Sequence, residues 1–84
     1  MYDQVLEIAT DRIVPNLRLI FDQEIIRDLC RSIIVDGQRE PIWTWFDSRR
    51  LRIIDGEKRW RACARLRIVR VNVVIISREP HTAG

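Results

Sequence analysis

The sequence has 84 residues, of which 46% are hydrophobic and 32% are charged. A chain of this length forms a single small domain with a modest core, and the composition argues against intrinsic disorder. The sequence has no apolar run close to the roughly 18 residues of a membrane span, and its N-terminus does not resemble a signal peptide. We therefore expect a cytoplasmic protein without membrane contact.

The net charge of +3 conceals a strong asymmetry along the chain. Residues 48–70 carry nine Lys/Arg and two Asp/Glu, whereas residues 1–47 carry five Lys/Arg and nine Asp/Glu. Such segregation favours a polyanionic partner, which is a nucleotide, a nucleic acid or an acidic protein face. The charge count alone does not distinguish these three.

The first half of the chain contains extended pieces and one helix. Residues 5–8 and 13–14 predict short extended segments, which stop at Pro15. Asp22 is a candidate N-cap, and the apolar residues after it recur at three- and four-residue steps, as in an amphipathic helix. This repeat consists of Ile25, Ile26, Leu29, Cys30, Ile33 and Ile34. Gly37 is placed to end the helix in a left-handed conformation.

The second half predicts a hairpin, a helix and a strand. Residues 41–55 form the hairpin, with Ile42, Thr44 and Phe46 on one face of its first strand. Gly56 begins the second helix, which runs to about residue 67. Residues 71–76 are almost continuously apolar, which is typical of a strand buried on both faces.

This order of elements predicts a compact α/β (α+β) domain. Two main helices cover a small mixed sheet. We expect one domain over residues 1–84, in which residues 78–84 form a linker or tail.

The turn between the hairpin and the second helix is a candidate phosphate site. A helix N-terminus offers unpaired N–H groups and the positive end of the helix dipole, and Gly56 allows close approach to the backbone. Lys58 and Arg59 can add charge-assisted bonds to phosphate oxygens. Glu57 would repel a phosphate unless it serves a Mg²⁺ ion, acts as a base or pairs with an arginine. A solvated charged face explains the same residues.

A nucleic-acid stripe is the third interpretation of this helix. Lys58, Arg61 and Arg65 share one face at three- and four-residue steps. Trp60 can be a base-stacking platform, although an aromatic packed between helix and sheet is the commoner role.

Metal and nucleophile signals are weak in this sequence. The single histidine, His81, lies in the tail, so the sequence predicts neither a zinc site nor a Cys-His or Ser-His arrangement. Cys30 and Cys63 lie within apolar helical patterns, which indicates reduced, buried thiols.

Two segments, "SIIVDGQREPI" at 32–42 and "IIDGEKRWRA" at 53–62, carry a family resemblance. In this order and spacing, the chain over about residues 8–77 resembles the N-terminal domain of ParB partition proteins, within the ParB/sulfiredoxin superfamily. The resemblance implies a ParB/sulfiredoxin-like fold that binds CTP, or another nucleoside triphosphate, with Mg²⁺.

The resemblance also implies roles for individual residues. Gly56, Lys58 and Arg59 would face the phosphates. Glu57 would lie near the Mg²⁺ ion and the attacked phosphate, as metal ligand and catalytic residue of a slow hydrolysis. Two further residues, Arg18 and Gly37, would belong to the supporting loops.

The implied partners are those of a chromosome- or plasmid-partition protein. They are DNA, read by a separate helix-turn-helix domain, a second copy in a nucleotide-dependent homodimer, and a partition ATPase. The basic stripe described above makes Arg61 and Arg65 the residues expected to contact DNA in this domain. The expected location is the cytoplasm, on the nucleoid. An alternative within the superfamily is a nuclease or a nucleotide-dependent small-molecule kinase that uses Glu57.

The sequence departs from the family pattern at several positions. Glu40 stands where a glutamine is usual before the Pro-Ile pair, and Lys58 replaces the first arginine of the box. The early loop, "PNLRLIFD", lacks the usual Gln-Pro. Glu57 occupies the position of the sulfiredoxin catalytic cysteine, which disfavours sulfiredoxin activity.

Overall fold

A computed structural model describes residues 4–76 of the chain, and the predicted tail, with His81, lies outside the described residues. Five strands and two α-helices follow one another in the order that the sequence predicts. They are β1 (Val5–Ala9), β2 (Ile13–Val14), α1 (Gln23–Asp36), β3 (Ile42–Asp47), β4 (Arg50–Asp55), α2 (Glu57–Arg65) and β5 (Arg70–Ile76). A short 3-10 helix, Thr10–Arg12, separates β1 from β2 and was not predicted.

The strands form one mixed sheet in the order β1-β5-β3-β4-β2. The β1–β5 and β3–β4 pairs are antiparallel, whereas β3–β5 and β2–β4 are parallel. The parallel β3–β5 pair requires a crossover, and β4 with α2 supplies it. The predicted α+β class with a small mixed sheet and two helices is therefore confirmed.

Helix α1 begins and ends as its sequence signals indicate. The Asp22 side chain accepts a hydrogen bond from the Glu24 N–H at 2.9 Å. At the other end, Gly37 has φ of +76° and its N–H donates to the Ile33 carbonyl at 2.8 Å. Helix α2 ends at Arg65, two residues earlier than expected, and Arg67 then takes a positive φ of +60°.

One core lies between the helices and the sheet. It joins the inner face of α1, part of α2 and the centre of β3, β4 and β5, and includes Ile26, Cys30, Ile33, Ile42, Leu51, Ala62, Cys63, Val71 and Val73. The burial of β5 on both faces is confirmed, because the adjacent Val73 and Val74 are both fully buried. Phe46 is exposed although Ile42 and Thr44 are buried, so the apolar face predicted for β3 does not extend to its end. No helix within residues 4–76 is both long and apolar enough to span a bilayer.

Candidate functional site

A cleft of about 710 Å³ opens where the start of α2 meets the loop before α1. Its volume falls within the range of small-ligand sites. One wall is apolar, with residues from the loop, from α1 and from β4, and the other contains the charged turn from β4 into α2. The lining consists of Asn16, Leu19, Phe21, Ile25, Leu29, Glu40, Ile53, Ile54, Asp55, Gly56, Glu57, Lys58 and Arg59.

The first turn of α2 lies in this cleft without a side-chain cap. Gly56 precedes the helix with φ of +106°, and no side chain within residues 4–76 caps this end. Its carbonyl accepts the first helical bond, from the Trp60 N–H at 2.8 Å. The N–H groups of Glu57, Lys58 and Arg59, which come before Trp60 in the helix, therefore have no helical acceptor and are available to an anion.

Two basic side chains accompany this helix start, as the phosphate-site interpretation requires. Arg59 Nη1 lies 3.3 Å from the position that a Cβ on Gly56 would occupy, so the guanidinium covers the glycine. Arg59 Nη2 also contacts Glu40 Oε2 at 3.2 Å. Lys58 is exposed and its Nζ lies 5.5 Å from the centre of the Phe21 ring. The structure thus brings Gly56, Lys58 and Arg59 together.

Glu57 is buried and ties α2 to the loop before α1. Both carboxylate oxygens accept from the Asn16 N–H, at 3.1 and 3.2 Å, and Oε2 also accepts from Arg61 Nε at 3.2 Å. Arg61 Nη2 donates to the carbonyls of Asn16 and Leu19 at 2.8 and 2.9 Å. Its guanidinium lies 5.1 Å from the Phe21 ring centre. The Glu57–Arg61 pair therefore fixes the loop that borders the cleft.

This arrangement bears on the predicted roles of both residues. The Arg61 guanidinium is directed to the protein's own loop, whereas the sequence predicted a contact with nucleic acid, which stays a prediction. No group of three or more His, Cys, Asp or Glu side chains suited to a metal occurs within residues 4–76. Mg²⁺ at nucleotide sites usually has only one or two carboxylate ligands from the protein, so the metal role of Glu57 stays a prediction.

Four predicted site residues lie outside the lining of the cleft, namely Arg61, described above, and Gly37, Arg18 and Arg65. Gly37 caps the end of α1. Arg18 borders a neighbouring cleft, which shares Asn16 and Ile53 with the first. Arg65 is exposed on the last turn of α2, where Nη1 donates to Gln23 Oε1 at 3.2 Å.

Trp60 and the two cysteines occupy structural positions. The indole Nε1–H donates to the Thr10 carbonyl at 3.0 Å. This bond joins α2 to the 3-10 helix, with Trp60 as a packed aromatic.

Cys30 and Cys63 are free and buried. Burial raises the pKa of the Cys63 thiol, Arg59 opposes this with its positive charge, and Cys30 adds to the increase in pKa. A neutral, inaccessible thiol is not a nucleophile.

Several cleft residues were not assigned a role from sequence. The side chain of Phe21 contacts both Lys58 and Arg61, yet a single aromatic before a helix N-cap carries no recognisable signal. The i,i+4 spacing of Glu57 and Arg61 is a usual helical ion pair and was a usable signal. The loop carbonyls that Arg61 binds are more than 40 positions away, and spacing does not reveal them.

Relatives of this chain match it over most of its length. The model of the ParB N-terminal domain family matches residues 2–83. A nucleoid occlusion protein of Oceanobacillus iheyensis is 36% identical over 78 residues, which are 87% of this chain and 27% of the relative. A probable chromosome-partitioning protein ParB of Rickettsia bellii is 38% identical over 71 residues, which are 81% of this chain and 24% of the relative. The chain thus spans about a quarter of the curated relatives it matches.

Solved structures share the fold. ParB from Caulobacter crescentus, C-terminally truncated and complexed with CTP-gamma-S, has a TM-score of 0.81 and 25% identity, over 92% of this chain and 46% of that one. The same protein complexed to the centromeric parS site has a TM-score of 0.72 and 28% identity, over 93% and 42%. Sulfiredoxin from Arabidopsis thaliana has a TM-score of 0.81 but 21% identity, over 89% and 86%, which shows a common fold alone.

Proposed function

Because the chain belongs to the ParB N-terminal domain family, we propose that its cleft binds a nucleoside triphosphate of the CTP type with Mg²⁺. The observation that carries the proposal is the uncapped start of α2, which lies in the cleft beside Lys58 and Arg59. The similarity to a ParB complexed with CTP-gamma-S supports it. The domain then acts as a nucleotide-binding switch of a DNA-partition or nucleoid-associated protein.

Different groups in the cleft bind different parts of the ligand. The free N–H groups after Gly56 and the side chains of Lys58 and Arg59 bind phosphate oxygens. The apolar wall, which includes Phe21 and Ile25, offers a surface for the base and ribose. Glu57 holds the bordering loop through Asn16, and its carboxylate is the candidate ligand of the Mg²⁺ ion.

The test is a calorimetric titration of four ribonucleoside triphosphates with Mg²⁺ into the wild type, Arg59→Ala and Arg31→Ala. Arg31 is an exposed arginine paired with Asp28 at 3.3 Å outside the cleft, so its loss is the matched control. We expect Arg59→Ala to weaken binding at least tenfold, which corresponds to about 1.4 kcal/mol, and Arg31→Ala to leave it unchanged. Affinities no better than millimolar, or equal affinities of the two variants, contradict the proposal.

Slow hydrolysis is a second activity that the position of Glu57 favours, because this carboxylate lies at the start of α2, next to the residues assigned to phosphate. Phosphate release from the bound triphosphate measures it. The Glu57→Gln variant keeps a carbonyl oxygen as acceptor for the Asn16 N–H, so loss of turnover with retained binding supports a chemical role. Turnover that survives this change assigns Glu57 to positioning alone.

The loop that borders the cleft supports the proposal of a homodimer that depends on the nucleotide. Leu17 and Ile20 of this loop are 80% and 92% exposed, and the loop's position depends on Glu57 and Arg61. Ligand binding beside the loop can therefore change how these apolar side chains are presented to a second copy. Specific DNA reading is proposed for a separate domain of a longer protein, and a partition ATPase is proposed as a further partner.

A further inference from the structure

Glu40 places a carboxylate inside the cleft, in contact with a phosphate-binding side chain. Its Oε2 lies 3.2 Å from Arg59 Nη2, with the Glu40 side chain 65% exposed and that of Arg59 26% exposed. Exposed pairs of this kind contribute little to stability. The pair therefore matters more for what Arg59 can bind than for the fold.

Hydrogen bonds of the Gln38 side chain hold the backbone at Glu40. Gln38 Nε2 donates to the carbonyls of Glu40 and Asn72, both at 2.9 Å, and Gln38 Oε1 accepts the Asn72 N–H at 2.7 Å. The loop that carries Glu40 is thereby bound to β5. The backbone of Glu40 is therefore held where its side chain reaches Arg59.

Arg59 is the residue that a phosphate at the start of α2 must engage. Its Nη1 lies over Gly56, where the free N–H groups begin, and its Nη2 is already paired with Glu40. A phosphate bound there shares the guanidinium with Glu40 or displaces it. In either case it meets a negative charge that a glutamine would lack.

The balance of charge in the cleft depends on this one residue. Glu57 is paired with Arg61, which leaves Glu40 and Asp55 opposite Lys58 and Arg59 among the lining residues. The two negative and two positive charges sum to zero. A neutral side chain at position 40 would leave a net positive cleft, which attracts any polyphosphate.

We propose that Glu40 is a specificity-determining residue of this cleft, which selects phosphate ligands by their net charge. It lowers the affinity for a free polyphosphate strongly and for a polyphosphate whose charge Mg²⁺ partly neutralises less strongly, so that the cleft favours the metal complex. This inference rests on the proposed nucleotide site and adds the charge state of the ligand that the site accepts.

The experiment compares Glu40→Gln with Asp28→Asn, which removes the same charge from a pair with Arg31 outside the cleft. Calorimetry with CTP is carried out for both variants and the wild type, with Mg²⁺ and with EDTA. We expect Glu40→Gln to tighten binding about tenfold in EDTA, about 1.4 kcal/mol, and about threefold with Mg²⁺. Asp28→Asn stays within twofold of the wild type in both conditions.

A double variant shows whether the effect passes through Arg59. In the Arg59→Ala background, Glu40→Gln should change the affinity less than twofold. Equal affinities of Glu40→Gln and Asp28→Asn, or weaker binding by Glu40→Gln, overturn the inference while the nucleotide site stands. If no variant binds CTP better than millimolar in either condition, both proposals fail.

Discussion

Arg61 shows how one side chain can serve the site without reaching a ligand. Sequence spacing placed it on a basic stripe with Lys58 and Arg65, but its guanidinium binds Glu57 and two loop carbonyls and covers Phe21. The charge that was expected to face solvent instead satisfies a buried carboxylate, which needs a partner. Arg61 therefore acts on the cleft through the loop that it holds.

Replacing Arg61 by alanine is expected to destabilise the domain. Breaking a fully buried ion pair costs about 3–5 kcal/mol. The Arg61 side chain is 24% exposed, so we expect a smaller loss of roughly 2 kcal/mol in the free energy of unfolding, measured by urea denaturation. Arg65→Ala on the same helix removes one exposed bond and should cost less than about 0.5 kcal/mol. Equal losses for the two variants would show that the loop contacts contribute nothing.

The buried thiol of Cys63 predicts a pH dependence of stability. Its pKa is raised in the fold above the ordinary value of 9.0, so the unfolded chain ionises first as the pH rises. Between that value and the folded pKa the unfolded state binds fewer protons, and stability falls with a slope of up to about 1.4 kcal/mol per pH unit. Below about pH 9 the contribution is constant.

The measurement is the difference in unfolding free energy between the wild type and Cys63→Ala, followed from neutral to alkaline pH. Other groups that titrate at high pH are common to both proteins and cancel in the difference. We expect the advantage of the wild type to shrink above about pH 9. An advantage that stays constant across this range contradicts the raised thiol pKa.

At the scale of the elements, two glycines at helix ends have different surroundings. A Cβ added to Gly37, at the end of α1, would meet no atom of the described residues within 4 Å, whereas one added to Gly56 would lie 3.3 Å from Arg59 Nη1 and 3.4 Å from Ile42 Cα. Both glycines have positive φ, +76° and +106°. Conformational strain is common to the two sites, and crowding belongs to Gly56 alone.

Alanine at either glycine should reduce stability by about 1–3 kcal/mol, because L-residues rarely adopt these conformations. Only Gly56→Ala should also weaken nucleotide binding, since its methyl group displaces the guanidinium and narrows the approach to the helix start. Thermal unfolding and calorimetry measure the two effects separately. If Gly37→Ala weakens binding as much, the loop after α1 belongs to the nucleotide site, as the family resemblance implied.

The elements themselves were largely predictable, because each has a local signal. The three- and four-residue steps of Ile26, Cys30 and Ile33 predicted α1 and its buried face, and a turn at 48–49 joins β3 to β4 within the predicted hairpin. The pairing of β1 with β5 joins residues more than 60 positions apart, and no local pattern encodes it. The contact of α2 with the loop before α1 could not be predicted for the same reason.

At the scale of the whole molecule, the basic segment of the sequence contains both arginines that pair within the domain and arginines that stay exposed. Within the basic segment, three arginines bind carboxylates of this domain, namely Arg52, Arg59 and Arg61. Other arginines of the segment remain exposed, namely Arg49, Arg50, Arg65, Arg67 and Arg70. The sequence alone does not show which arginines pair within the domain and which stay exposed, because both kinds lie along the same segment. The exposed group is the candidate for DNA contact.

This distribution predicts weak DNA binding by the isolated domain, without sequence preference. Exposed arginines neutralise phosphates and release counterions, which lowers the logarithm of the affinity by about 0.9 per contact for each tenfold rise in salt. The double variant Arg65→Ala/Arg67→Ala should therefore reduce the salt slope by about 1–2, measured by fluorescence anisotropy on two unrelated duplexes. Because phosphate contacts carry no sequence information, the loss should be equal on both duplexes.

The matched control is Arg27→Ala/Arg31→Ala, which removes two exposed arginines from α1. Each is paired with a carboxylate, Glu24 at 3.7 Å and Asp28 at 3.3 Å, so less of its charge is available to DNA. We expect a smaller change in slope for this variant. An equal change would mean that net charge alone governs the interaction, whereas a preference for one duplex would place base reading within the domain itself.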